Sequence, residues 1–358
     1  MTTTNNKRVL GFSALCVAAV AALGGYLFHT GQRMAATSAA AQAQAAPATA
    51  LATTATGRLF FRHSGVDAHH GQLAWREAAG QGDAHFVEQL SCEVVHASGG
   101  RGLCLTAKRG VVTTYGAKVF DAATFAVRAD IPLQGIPSRT RLSRDGRLGA
   151  FTVFTAGHGY ANLDFSTQTL LIDTADGRVL ADLEQFAVTR DGQPFTAKDF
   201  NFWGVTFTPD ARGFYATLSS AGKHYLVRGD IASRSASVIH DNVECPSLSP
   251  DAQRVAYKKR YIVDGRIVWQ FHVLDLRTGV ETPLAEKRNV DDQIEWLDDA
   301  HVLYALPAPD GSAATEVWAT PVDGRGEPVL YLRNAYSPAV ERGVETAAMS
   351  TSSARTTP

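Results

Sequence analysis

The sequence predicts an all-β fold, a six-bladed β-propeller of four-stranded antiparallel blades, with one N-terminal membrane helix. Three observations lead to this expectation. A hairpin pattern recurs along the chain, its copies are separated by about 40 to 65 residues, and an uncharged segment lies near the N-terminus. Repeats of roughly 40 to 50 residues with several short strands are typical of propellers, because one blade buries both faces only between neighbours.

The hairpin pattern is clearest from Val243 to Tyr257. Two runs of β-branched and aromatic residues flank Ser-Pro-Asp-Ala, where proline sets φ and aspartate caps the turn. Weaker copies turn at Asp145, Asp210 and Asp299, and a degraded copy turns at Gly99. Each copy supplies the inner hairpin of a blade, and the strands between copies complete it.

The first blade, which begins at Arg58, lacks its innermost strand. The segment from Asn334 to Val340 is the candidate, because its Ser337-Pro338 repeats the Ser249-Pro250 pair of the clearest copy. We therefore expect the C-terminal strand to pair with the first blade and close the ring, which would remove an exposed sheet edge.

The N-terminal region predicts export. Lys7 and Arg8 precede an uncharged run from Val9 to Phe28, long enough to span a bilayer as a helix. A retained signal anchor and a cleaved signal peptide both remain open, and the length of the run favours the anchor. We assign 1–8 as cytoplasmic, 9–28 as transmembrane, 29–56 as an Ala-rich linker, 57–341 as the propeller and 342–358 as a disordered tail.

The amino-acid composition indicates which classes of partner the chain can bind. The chain has 358 residues, a formal net charge of -1 and 45% hydrophobic residues, so it can bury a large core but presents no basic surface for nucleic acid. We expect a monomer that binds no nucleic acid. Of the four cysteines, Cys92 and Cys104 look like partners, but a hairpin register that places Cys104 opposite Val95 predicts that both are free thiols.

Residues 57 to about 341 resemble the TolB-like six-bladed propellers, whose repeat carries Ser-Pro-Asp-Gly before a short apolar strand. Only Asp145-Gly146 keeps the Asp-Gly pair; three other copies read Asp-Ala. The resemblance implies an exported or envelope location and protein–protein binding. The α/β domain that precedes the propeller in TolB is replaced here by the predicted anchor and linker.

The topology predicts a candidate binding face. Inner strands begin on one face of the disc, here called the entry face, and end at the Asp-containing turns on the other, the turn face. Two long insertions, Ala156 to Ser166 and Glu184 to Asn201, should both emerge on the entry face. The candidate binding residues are His158, Tyr160, Asn201, Phe202, Trp203, Glu244, Asp291 and Asp292.

Period-two alternation along the inner strands gives a second set. Polar residues alternate with core residues such as Leu142 and Trp296, so the polar positions should line or border the central channel. They are Glu93, Arg139, Arg141, Gln293, Glu295 and Arg333. A water-filled channel whose Arg and Glu side chains satisfy one another would give the same pattern.

Signatures of catalysis are weak. The sequence contains no Gly-x-Ser-x-Gly, phosphate-binding loop or His-Glu-x-x-His motif, so we expect no cofactor and no metal. The favoured hypothesis is a single-pass, membrane-anchored scaffold on the extracytoplasmic side that binds an envelope protein, peptide or glycan without catalysis. The alternative is a propeller hydrolase or lyase at the channel mouth, with His158, Glu244 and Asp292 as acid, base or metal ligands.

Overall fold

A computed structural model describes residues 24–25, 51–79, 82–156 and 165–342. The strands of this part of the chain form six sheets around a ring, which confirms the six-bladed propeller. In chain order the first thirteen strands are β1 Arg58–His63, β2 Gln72–Glu77, β3 His85–Ser91, β4 Val94–Ser98, β5 Arg101–Lys108, β6 Thr114–Asp121, β7 Val127–Leu133, β8 Ile136–Leu142, β9 Leu148–Ala156, β10 Ser166–Asp173, β11 Val179–Asp182, β12 Ala187–Arg190 and β13 Gln193–Phe195.

The remaining strands are β14 Asn201–Phe207, β15 Gly213–Ser220, β16 Lys223–Asp230, β17 Ser235–Asp241, β18 Glu244–Leu248, β19 Arg254–Val263, β20 Arg266–Asp275, β21 Glu281–Pro283, β22 Glu295–Trp296, β23 His301–Pro307, β24 Thr315–Pro321, β25 Val329–Arg333 and β26 Ala335–Glu341. Blades two to six begin with the inner strands β4, β8, β14, β18 and β22.

The C-terminal strand closes the ring, as the sequence predicts. β26 is the innermost strand of blade one and pairs antiparallel with β1, from Arg58 opposite Glu341 to His63 opposite Ala335. The Arg58 guanidinium also donates to the Glu341 carboxylate at 2.6 Å. The first and last strands of the propeller therefore share one blade, and neither leaves an unpaired inner edge.

The repeated turn has a specific hydrogen-bond pattern. In blade three, Ser143 Oγ donates to Asp145 Oδ1 at 2.6 Å, and the same carboxylate oxygen accepts the backbone N–H of Arg147. Thr208 with Asp210, and Ser249 with Asp251, repeat the arrangement in blades four and five. A hydroxyl two positions before aspartate thus fixes each of these three turns, which explains why this pair recurs in blades three to five.

The core lies between the blades. One buried cluster combines Phe154 of blade three, Trp203 of blade four, and Cys245 and Trp269 of blade five. Close packing also requires glycine at position 204. A Cβ on Gly204 would lie 2.6 Å from the Cα of Cys245, and the φ of Gly204 is +63°. The inner strands therefore approach one another too closely for any larger residue at position 204.

The insertion from Glu184 to Asn201 does not form a loop over the entry face, contrary to the expectation above. It contains a short 3-10 helix, Leu183–Gln185, and then β12 and β13. β12 pairs parallel with β17, so blade four becomes a six-stranded sheet that ends at β13 on the outside of the disc. The expectation of a loop was wrong because the outer edge of β17 has free backbone N–H and C=O groups. The insertion pairs with these groups, whereas a loop on the rim would leave them without hydrogen bonds.

The prediction of free thiols at Cys92 and Cys104 was also wrong, since the two residues form a disulfide. The predicted register is correct, with Val95 opposite Cys104. However, β4 begins only at Val94, and Cys92 lies in the link from blade one, where its N–H donates to the carbonyl of Gly71. The chain curves there, which brings the two Cα atoms to 5.3 Å, within the range of a disulfide.

Ordered structure begins before the predicted start of the propeller. Residues 51–56, assigned above to the linker, lie against blade six, where Thr53 Oγ1 donates to Asp298 Oδ2 at 2.6 Å. Apart from Gly24 and Gly25, the predicted anchor lies outside the described residues. In the part of the chain that the structure covers, no helix has the length and apolar character needed to cross a membrane.

Candidate functional site

A cavity of about 780 Å³ opens on the turn face at the mouth of the central channel. All six blades supply its wall through the ends of their inner strands or the turns that follow, among them His96, Arg141, Phe207, Ser247 and Glu295. The N-terminal segment from Thr54 to Thr56 and the C-terminal residues Val340 and Arg342 complete the wall. This volume is in the range of ligand-binding clefts.

The floor of this cavity is a buried ionic cluster. Arg141 Nη1 donates to Glu295, and Arg141 Nη2 donates to Ser247 Oγ at 3.2 Å and to the carbonyl of Ile294 at 3.1 Å. Burial alone would raise the pKa of Glu295, but Arg141 and His96 outweigh it and lower this pKa to about 2. Burial and Arg141 lower the pKa of His96, so its imidazole is neutral.

The cluster also divides the channel. His96, Arg141 and Glu295 line both the large cavity and a second space of only about 20 Å³ behind it, which Arg139, Gln293 and Tyr336 also border. A space of this size holds about one water molecule. The turn-face cavity is therefore a pocket with a closed floor.

The wall of the cavity carries more negative than positive charge. Its carboxylates belong to Asp145, Asp251, Glu295, Asp298 and Asp299, and its guanidinium groups belong to Arg141, Arg144 and Arg342. Several of the carboxylates are held in place, since Asp298 accepts bonds from Thr53 and from the backbone N–H of Ala300. The acidic groups of the lining outnumber the basic ones by five to three, and Arg147 and Arg254, which lie outside the lining, pair with Asp145 and Asp251.

A solved structure shares this architecture. TolB from Acinetobacter baumannii aligns with a TM-score of 0.54 and 17% identity, over 79% of this chain and 66% of that one. The chain folds as a TolB-like six-bladed propeller. A chain of the nidogen/laminin complex gives a TM-score of 0.49 at 12% identity, covering 79% of this chain and 97% of that one. A putative TolB from Agrobacterium tumefaciens gives 0.45 at 12% identity, covering 80% and 92%.

The TolB-like propeller spans slightly less than two thirds of the length of the Acinetobacter TolB chain. No protein-family model matches the sequence, and no curated protein does either. The structural likeness therefore concerns the fold, and the function of the TolB-like propeller must be argued from its own residues.

On the opposite, entry face, the predicted residue Glu244 is fully buried at the start of β18. Its carboxylate accepts from Arg260 Nε at 2.6 Å and from the Trp269 indole N–H at 3.0 Å. Burial would raise the pKa of Glu244, but Lys258, His224 and Arg260 outweigh it and lower this pKa. Glu244 is thus held as an anion by an ion pair and hydrogen bonds within blade five.

The neighbouring carboxylates also make internal contacts. Asp291 binds the Lys258 ammonium, which is fully buried, and lies 3.5 Å from Arg139 Nη2. Asp292 accepts the backbone N–H of Ala305 at 2.8 Å, and burial raises its pKa. Both aspartates therefore contribute to the packing of blades five and six.

The predicted residues of β14 lie inside the TolB-like propeller. Phe202 and Trp203 are fully buried, and the Trp203 ring packs edge-on against Phe165 and His224. Asn201 Oδ1 accepts the backbone N–H of Thr167 at 2.7 Å. The structure therefore places Trp203 between blades and not on the surface, where a binding anchor would be expected.

His158 and Tyr160 lie outside the described residues. Of the predicted channel residues, Arg139, Arg141, Gln293 and Glu295 border the two channel cavities. Glu93 instead pairs with Arg109 at 2.7 Å, and Arg333 pairs with Glu316 at 2.6 Å. Glu93 precedes the inner strand β4, and Arg333 ends the outer strand β25. Neither residue lies within an inner strand, so the alternation does not apply to them.

The described residues include no group of three or more His, Cys, Asp or Glu side chains placed to hold a metal ion. Several cavity residues were not predicted as site residues from the sequence, namely His96, Trp296, Arg342 and the segment 54–56. The alternation that identified Arg141 and Glu295 also selects position 247, but the two terminal segments carry no sequence signal. They contribute only because ring closure brings both ends of the propeller to the turn face.

Proposed function

We propose that this chain is an exported propeller, tethered by its N-terminal segment, that binds a basic polypeptide segment of an envelope protein without catalysing a reaction. The turn-face cavity carries this proposal. It has a closed floor, a preformed wall from all six blades, and five carboxylates against three guanidinium groups in its lining. A rigid, charged cleft of this kind provides electrostatic complementarity, which gives specificity and fast association.

A polypeptide fits the cavity because its wall contains both charged and apolar groups. The apolar side chains include Leu142, Phe207, Leu248 and Trp296, and the carboxylates lie between them at the turns. A peptide can place Lys or Arg against the carboxylates and apolar side chains between them. The TolB-like fold supports a binding scaffold, but the sequence identity is too low to transfer a partner.

The disulfide supports an extracytoplasmic location. Cys92 and Cys104 are both buried and bonded to each other, and Cys245 is the one free cysteine among the described residues. Disulfides persist in oxidising compartments and are rare in the cytosol. This agrees with the predicted export segment from Val9 to Phe28.

Site-specific photo-crosslinking in the native envelope tests the proposal. A photoreactive residue at Pro209, which is exposed at the cavity mouth, should yield crosslinked adducts with a protein partner. The matched control is a photoreactive residue at Asp310, which is exposed on the entry face. Asp299→Asn should weaken the Pro209 adduct, and added salt should weaken it further.

The same experiment locates the site. Adducts at Asp310 and none at Pro209 would move the binding surface to the entry face and refute the turn-face site. A crosslinked partner segment without Lys or Arg would refute the electrostatic part of the proposal.

A further inference from the structure

The entry face carries apolar loop tips that no described contact buries. Val111 and Val112 lie in the loop between β5 and β6, and Ile262 and Val263 end β19. Their exposed fractions are 108%, 75%, 76% and 51%. Single exposed aliphatic residues are common on protein surfaces, but adjacent pairs at projecting tips are a feature of binding surfaces.

The two tips lie on opposite sides of the ring. The first belongs to blade two and the second to blade five, which are three blades apart in a ring of six. In blade five, β19 and β20 are ten residues long, the longest strands among the described residues, and they remain paired up to Val263 and Arg266. A broad, flat surface can contact both tips at once, whereas a compact partner would have to span the whole width of the disc.

Basic residues accompany both tips. Lys108 is exposed at the end of β5, and Arg266 is exposed at the start of β20. Arg109, beside the first tip, is paired with Glu93, and Asp264 is the one acidic residue in the turn of the second. An anionic bilayer binds aliphatic side chains that are flanked by Lys or Arg. The aliphatic side chains insert at the boundary of the acyl chains, and the Lys or Arg side chains pair with the anionic headgroups.

We infer that the entry face docks on an anionic lipid bilayer through the tips of blades two and five. The turn-face cavity then points away from the membrane, toward soluble partners. Residue 51, the first described residue after Gly25, lies on the turn face, and 22 residues of the predicted linker (29–50) precede it. That linker can extend to roughly 75 Å, whereas a ten-residue strand is about 33 Å long, so the tether permits this orientation.

Vesicle flotation tests the inference with the unit that begins at Ala48, because the closed ring lies entirely within it. The unit should float with vesicles of phosphatidylcholine and phosphatidylglycerol, and less with phosphatidylcholine alone. The paired variants V111D/V112D and I262D/V263D should each reduce the bound fraction about tenfold. Lys108→Ala and Arg266→Ala should each weaken partition about fivefold, and Asp264→Asn should strengthen it.

The matched control is V179D/V280D, which adds the same charge at two exposed valines outside the two tips. This variant should float like the wild type. Failure of the wild type to float, or equal loss in the control and the tip variants, would overturn the inference. So would tip variants that change only the sedimentation of the protein without vesicles, since that result would assign the tips to self-association. None of these outcomes depends on the turn-face cavity.

Discussion

Reduction of the disulfide between Cys92 and Cys104 should lower the free energy of unfolding by about 3 kcal/mol. The two cysteines are 12 residues apart, and the loss of loop-closure entropy for a loop of this size gives this value. With a urea m-value of about 3 kcal/mol/M, the unfolding midpoint should fall by about 1 M. The measurement compares protein refolded with and without dithiothreitol, followed by tryptophan fluorescence.

The double variant C92A/C104A is the control, and its midpoint should not respond to reductant. Cys245 is buried and free in both states, so it does not contribute to the difference. Peptide mapping under denaturing, non-reducing conditions should find Cys92 and Cys104 in one linked peptide. Four titratable thiols in the unreduced full chain, or equal midpoints with and without reductant, would refute the reasoning.

Four further variants test the packing between blades, the floor of the cavity with an exposed ion pair as its control, and the turns. Trp203→Ala should cost about 3 to 5 kcal/mol, because the ring is fully buried between blades; a normal melting temperature would contradict this. Glu295→Gln should lower the free energy of unfolding at pH 7 by about 3 kcal/mol or more, because it leaves the Arg141 guanidinium buried without its anion. The pKa of Glu295 is lowered to about 2, so this stabilisation is present above the ordinary carboxyl pKa and the difference should shrink as the pH falls from about 4.5 to about 2. Glu93→Gln, in a more exposed pair, should cost under about 1 kcal/mol at any pH. Ala252→Gly should stabilise by about 0.5 to 1 kcal/mol, because φ at Ala252 is 58°, whereas a loss of stability would show that the turn relaxes in another way.

The sequence by itself determined the blade count and the closure of the ring. Each turn is specified by residues close together, such as Ser249 and Asp251, whose side chains bond within the same hairpin. Such local hydrogen bonds leave a pattern that repeats with the blade. The alternation of core and polar residues likewise identified Arg141 and Glu295, because successive side chains of a strand point to opposite sides.

Only the tertiary structure decided where the candidate site lies. The insertion after Glu184 pairs with β17, and Trp203 packs between blades, because distant strands supply their partners. Cys92 reaches Cys104 through a bend in the link between two blades, which strand spacing does not describe. The cavity itself forms where both ends of the propeller meet six inner strands. Its wall depends on contacts between residues such as Thr53 and Asp298, far apart in sequence, for which no local pattern exists.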